Sequence, residues 1–417
     1  MKKVLILYAK YGGGHLSAAT AIQTYLEENY YYTVEVKCVD CVEYYNQFLS
    51  DMTTNAYKNL AKNAPNLWKK IYYGSKKGLL AKISGKANSM MAKKLLSLLT
   101  DFSPDMVVST HPFSSQIISL LKEQKKINCD LATVLTDFAP HDQWLVGKEY
   151  CDYYFVSNNK MRQDLIDNYG VPSEKVFATG VPLSSKFSEK IDDEKTYSNY
   201  QLNPDKKTIL FFGGGEFGLG KKRTVLILKS LAKHLDEYQI VAVSGRNKKM
   251  NNEFLNLYEK LQNEDLHVLK YTKDVPSLMH ISSLVVTKPG GLTSSESLAS
   301  NLPILIINPI PGQEEENAEF LEASGSAVWL KKDDNIDDVI NNLLNDPQKL
   351  EQMKINTTQI AKPNSTMDIC EILLESKWFF GRSFLRPKKT VQKSLTIIFL
   401  FFYFHYRFLN NNLVSSF

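Results

Sequence analysis

The feature that most constrains this chain is a rhythm that occurs twice. Short, wholly apolar runs alternate with longer stretches of helical period: "KVLILY" precedes residues 16–30, "DMVVST" precedes 114–124, then come "LATVLT" and "YYFVS", the last ahead of 158–169. A strand that is apolar at every position must be covered on both faces, as in a parallel sheet wound with helices. The rhythm restarts after residue 205 with "KTILFF", "QIVAVS", "LVVTK" and "PILIIN". This predicts an α/β protein of two doubly wound domains. A length of 417 residues, 43% hydrophobic and 23% charged, gives each domain material for its own core. Between them, "SEKIDDEKTYSNYQLNPDKK" is polar and poor in large aliphatics, as a linker would be. The boundaries expected are 1–185, a linker at 186–206, 207–362, a helix at 363–377 that returns to the first domain, and a tail at 378–417.

Open parallel sheets bind ligands at the C-terminal ends of their strands. The unusual residues of this chain cluster there: "GGGH" after the first strand, "STHPF" after "DMVV", "TDFAPHDQW" after "LATVL", "GGGEFG" after "TILFF", "SGRN" after "IVAV" and "KPGGLTSSE" after "LVVT". Both domains therefore present loops to a common cleft.

In "FFGGGEFGLGKKR", Gly213, Gly215 and Gly218 match the dinucleotide fingerprint by letter, and Gly215, Gly220 and Lys221 nearly match a P-loop. Neither match holds in its chemistry. Lys222 stands where a P-loop needs a hydroxyl for magnesium, and Ser244 where the fingerprint needs an acid. What the two share survives: glycine N–H groups at a helix start can hold phosphate without a metal. In "VVTKPGGLTSSESLASNLPILIINPIPGQEEENAEFL", Gly290 and Gly291 permit close approach, and Thr293 and Ser294 can donate to phosphate oxygens. Glu296, one turn further, can accept from ribose hydroxyls, unless it merely completes a capping box with Thr293. Gln313, Glu314 and Asn317 open the next helix with polar groups suited to a sugar.

"GGGH", "TDFAPHDQW", "SGRN", "KPGG-T-SE", "PGQEEEN" and "KPNS" together resemble the monogalactosyldiacylglycerol synthase and processive diacylglycerol glucosyltransferase family, over residues 1 to about 377. More distantly they resemble the bacterial lipid-intermediate N-acetylglucosaminyltransferase. The resemblance implies a GT-B fold of two Rossmann-like domains facing a cleft. It also implies inverting transfer of glucose or galactose from a UDP-sugar to diacylglycerol, with no metal and no cofactor beyond that co-substrate. It makes His15 the general base, positioned by the glycines that include Gly13 and Gly14, with Asp137 and His141 as acceptor-side candidates. On the donor side it gives Gly213, Gly214, Gly215, Thr293 and Ser294 to the diphosphate and Arg246 to the nucleotide charge. Thr272 falls at uracil, Glu296 at ribose, and Gln313 and Glu314 at the hexose. Two other functions stay open on the sequence: N-acetylglucosaminyl transfer to a lipid-linked intermediate, and a non-catalytic UDP-sugar sensor.

The net charge of +5 is too small to indicate nucleic acid, but its distribution is uneven: residues 52–100 hold ten lysines and no acid, interleaved with Tyr57, Trp68, Tyr72 and Tyr73. That pattern suits an anionic membrane surface and predicts a peripheral protein of the cytoplasmic face. "SLTIIFLFFYFHYRFLNNNLVSSF" in the tail is too short in its apolar part to span a bilayer. It reads as a shallow anchor or as a shifted reading frame. Five scattered cysteines do not form a disulfide framework, and Cys38 with Cys41 lacks the partners of a zinc set. The apolar start is too short for a signal peptide and reads as a core strand.

Overall fold

The computed structural model describes residues 1–10, 13–45, 92–214 and 220–375. Gly215, most of the lysine-rich stretch and the tail lie outside the described residues.

The first sheet comprises β1 (Lys2–Tyr8), β2 (Val34–Asp40), β3 (Met106–Ser109), β4 (Asp130–Val134), β5 (Tyr153–Phe155) and β6 (Val176–Phe177), in the order β2-β1-β3-β4-β5-β6. The second comprises β7 (Lys207–Phe212), β8 (Tyr238–Val243), β9 (Leu266–Leu269), β10 (Ser282–Thr287), β11 (Ile304–Ile306) and β12 (Ala327–Trp329), in the order β12-β11-β10-β7-β8-β9. Every pairing is parallel. The central strands explain the unbroken apolar runs: Leu5, Ile6 and Leu7 of β1 and Ile209, Leu210 and Phe211 of β7 are fully buried. Both sheets reverse strand order beside their first strand, between β1 and β3 and between β7 and β10. A crevice opens at such a point because the two flanking crossovers run in opposite directions.

Residues Met1–Cys370 pack as one compact unit, so the two halves lie closed against each other. Phe138, from the first half, is buried in a core cluster otherwise built from the second half and its lead-in, and stacks on Phe320 at 5.2 Å. Burying a Phe ring is worth roughly 1.5–3 kcal/mol, so this one residue contributes appreciably to closure.

The expected linker is more structured than its composition suggested. Asp192 caps a helix, Asp193–Tyr200, through its bond from Lys195 N, and Tyr197 and Tyr200 pack against the second core. Two tyrosines anchor a segment whose polarity alone reads as loop. At the other junction, Ser365 Oγ donates to the Val181 carbonyl at 2.7 Å and Thr366 Oγ1 to that of Leu183 at 2.6 Å. The start of the helix Ser365–Glu375 is thereby tied to the first half beside the point where the chain leaves it. Cys38 ends up in β2 and Cys41 at the start of the short helix Cys41–Tyr45; they form no disulfide, and burial pushes both thiols upward in pKa, away from reactivity.

Candidate active site

In the first half, β1 and β3 end side by side, and the helix Gly13–Tyr30 starts at the crevice between them. His15, on its first turn, places Nδ1 2.6 Å from the Thr110 carbonyl oxygen just beyond β3. A carbonyl only accepts, so Nδ1 carries the proton and Nε2 is the basic nitrogen. Thr110 Oγ1 donates back to the His15 carbonyl at 2.9 Å, and Thr136 Oγ1 lies 3.2 Å from Nδ1. The ring is crowded on most sides, edge-on to His111 at 4.6 Å, yet keeps an accessible edge on a cavity. Burial lowers its pKa to about 4, only partly opposed by the bond to Thr110, so it is a neutral imidazole at ordinary pH.

That cavity, of about 450 Å³, lies between the two halves and has the size of a small-ligand site. The first half supplies Gly13, Gly14, His15, Thr136 and Asp137 to its wall. The second supplies Gly214, Thr272, Lys288, Gly290, Gly291, Thr293, Gln313, Glu314 and Asn317. Residues as far apart in sequence as Gly13 and Asn317 thus converge as the strand-end argument requires.

Gly214 has φ +86°, a backbone region open to glycine, and a Cβ built on it would sit 3.5 Å from Lys288 Cε. Gly291 is needed for a different reason: a Cβ there would stand 1.7 Å from the Thr136 carbonyl oxygen, so this glycine lets the halves close. Lys288 directly follows β10 and lies in the cavity wall. Enclosure lowers its pKa and the nearby Glu314 opposes the change. Glu314 accepts from Ile310 N at 2.6 Å, and burial raises its carboxyl against the pull of Lys288. Glu296 lies one turn below the cavity-lining Leu292 and Thr293; crowding, despite a partly accessible edge, raises its pKa to about 8.

Several expectations need correction. Ser294 does not line the cavity: its hydroxyl is buried without a partner, because neighbouring residues on a helix point about 100° apart and Thr293 takes the cavity side. Gly213 has its N–H committed to the Val243 carbonyl at 2.9 Å, and a Cβ there would strike Phe254; it serves packing, not phosphate. His141 is not on the cavity wall but beside Trp144, at 6.0 Å between rings, because the chain turns there into the 3₁₀ segment Asp142–Trp144. Arg246 is not on the cavity wall but lies 5.0 Å over the ring of Tyr271, a residue that does line it. Asp137 faces the cavity but its carboxylate is engaged by Gln313 and Asn317 rather than turned to the acceptor side.

The monogalactosyldiacylglycerol (MGDG) synthase family profile matches residues 15–183, and that of glycosyl transferases group 1 matches 192–360. A processive diacylglycerol beta-glucosyltransferase of Bacillus cytotoxicus is 32% identical over 373 residues, 89% of this chain and 93% of its own. The chain belongs to this diacylglycerol glycosyltransferase family. Among solved structures, Acinetobacter baumannii MurG superposes with a TM-score of 0.58 at 14% identity, covering 90% of this chain and 100% of its own. The UDP-GlcNAc 2-epimerase of Neisseria meningitidis bound to UDP-GlcNAc gives 0.58 at 17% identity, with the same two coverages. At such identities the likeness concerns the fold, which is GT-B.

For a member of this family, sequence reasoning missed two residues of the cavity wall, Lys288 and Tyr271, and one that holds His15 from behind, Thr110. Lys288 was visible as a lone cation ending an apolar strand, "LVVTK". Tyr271 precedes the expected Thr272 and had no signal of its own. Thr110 acts through its carbonyl, which no side-chain pattern reveals. Among the described residues no group of three or more His, Cys, Asp or Glu is placed to hold a metal, and no helix is long and apolar enough to cross a membrane.

Proposed function

We propose that this protein transfers a hexose, glucose by preference, from a UDP-sugar to diacylglycerol with inversion at the anomeric carbon. His15 Nε2 takes the proton of the lipid's free hydroxyl as its oxygen attacks the anomeric carbon. The bond from that carbon to the diphosphate breaks, and UDP leaves with the electron pair. Lys288, the Gly290–Gly291 amides and the Thr293 hydroxyl then face the charge that develops on the diphosphate, so that no metal is required. Glu296 receives the ribose, Thr272 and Tyr271 border the base, and Gln313 and Glu314 receive the sugar. The single observation that carries this reading is a histidine, its tautomer fixed by Thr110, in one cavity with the half-buried Lys288 and a glycine-flanked helix start.

The lysines of residues 52–100 would bring the cleft to an anionic membrane surface, at the cytoplasmic face where nucleotide sugars are held. Radiolabelled UDP-glucose and UDP-galactose, each given with diacylglycerol in anionic vesicles, test the whole reading. The expected outcome is a labelled glycolipid, formed fastest from UDP-glucose and in the presence of chelator. Donor binding with no label in any lipid would instead identify a sensor.

A further inference from the structure

Three consecutive residues beyond β4 reach into the second half, each differently. The Thr136 carbonyl abuts Gly291 while its hydroxyl lies 3.2 Å from His15 Nδ1. The Asp137 carboxylate accepts from Gln313 Nε2 through one oxygen and, at 3.4 Å, from Asn317 Nδ2 through the other. Phe138 donates its N–H to Asn317 Oδ1 at 2.8 Å and stacks on Phe320. Asn317 Nδ2 also donates to the Pro289 carbonyl at 3.0 Å, tying in the loop that carries Gly290 and Gly291.

We infer that Asp137 is a positioning residue for the donor's hexose, which the first half delivers to Gln313 only when the cleft is closed. A carboxylate can only accept, so Gln313 must turn its NH₂ to Asp137, and its carbonyl oxygen is left to accept from a sugar hydroxyl. An open cleft leaves that amide free to rotate. The same tripeptide touches the catalytic base, so the donor's sugar is gripped in the arrangement that also completes the base. The inference rests on the reading of Gln313 as sugar-facing given above.

Burial raises the Asp137 carboxyl to about 6, against the bonds from Asn317 and Gln313, with Glu314 and Glu316 of the same helix adding to the rise. His15, from the helix after β1, and Lys288, just after β10, line the same cavity. A protonated Asp137 becomes a donor on one oxygen and no longer fixes Gln313.

Calorimetry on the full chain with UDP and with UDP-glucose tests this. Asp137→Asn should weaken UDP-glucose about tenfold and UDP less than about twofold, the signature of one lost hydrogen bond to a charged group. Wild-type affinity for UDP-glucose, relative to UDP, should fall as pH is lowered through about 6, and Asp137→Asn should be flat there. Gln313→Glu sets two carboxylates face to face and should weaken UDP-glucose. Combining it with Asp137→Asn reverses donor and acceptor and should recover much of that loss, which damage to the fold would not do. Equal losses for both ligands in Asp137→Asn, or no recovery in the pair, would overturn the inference. Wild type that bound UDP-glucose with the expected pH dependence but glycosylated no diacylglycerol would overturn the proposed function and leave this inference standing.

Discussion

A histidine whose Nδ1–H is committed to a backbone carbonyl has one task left for its other nitrogen. His15→Ala should therefore cost roughly 100-fold to 10,000-fold in transfer, the usual worth of a general base, while UDP affinity stays near wild type. Because burial holds the imidazole near 4 rather than the ordinary 6.5, kcat at saturating donor should persist below pH 6.5 and decline only as pH approaches about 4. A decline centred at 6.5 would mean that the ring is solvated during turnover. Glu296 supplies a second residue-scale test. With its pKa raised to about 8 it is largely protonated at pH 7, and ribose hydroxyls donating to it would favour the carboxylate. UDP binding at pH 7 should thus release a proton, seen as a dependence of the calorimetric heat on buffer ionisation enthalpy. Glu296→Gln should abolish that release. Identities at these positions were legible in the sequence, but their directions were not: Thr293 and Ser294 differ only in helical phase, and Asp137 meets Gln313 across 176 positions.

At the scale of elements, the strands were legible because parallel strands covered on both faces admit almost nothing but aliphatic residues. The crevices followed from where glycines and polar residues interrupt that rule. The helix Asp193–Tyr200 was not legible, since its support comes from Tyr200 OH bonding Thr272 Oγ1 at 3.1 Å, a tertiary contact. The contact between the loop after β4 and the start of the helix Gly291–Ala299 is tighter still. Gly291→Ala must push a methyl into the Thr136 carbonyl, and backbone does not yield as a side-chain tip would. Overpacking of this kind costs typically 1–3 kcal/mol, here charged to closure, so transfer should drop roughly tenfold to a hundredfold. UDP affinity, which the proposed function assigns almost wholly to the second half, should change far less; steady-state kinetics and calorimetry on the same preparation separate the two.

For the whole molecule, the uneven charge should govern access to lipid. Replacing Lys69, Lys70, Lys76 and Lys77 with glutamine should reduce binding to anionic vesicles and lipid glycosylation, leaving UDP affinity intact, because each lysine near such a surface is worth about 1 kcal/mol. Salt should weaken the wild type more than the variant. Co-sedimentation with anionic and neutral vesicles reads this directly, and equal binding of the two proteins would remove these lysines from any membrane role.

The chain passes from one half to the other beside Leu183 and comes back beside it, at Ser365 and Thr366. A single seam therefore separates the half that carries His15 from the half that carries most of the cavity wall. On the proposed function, the choice of sugar and the choice of lipid would then fall on opposite sides of that seam. A relative's second half, joined at this seam, would bring its own choice of sugar to the same lipid, so long as the incoming half kept a glutamine and an asparagine opposite Asp137.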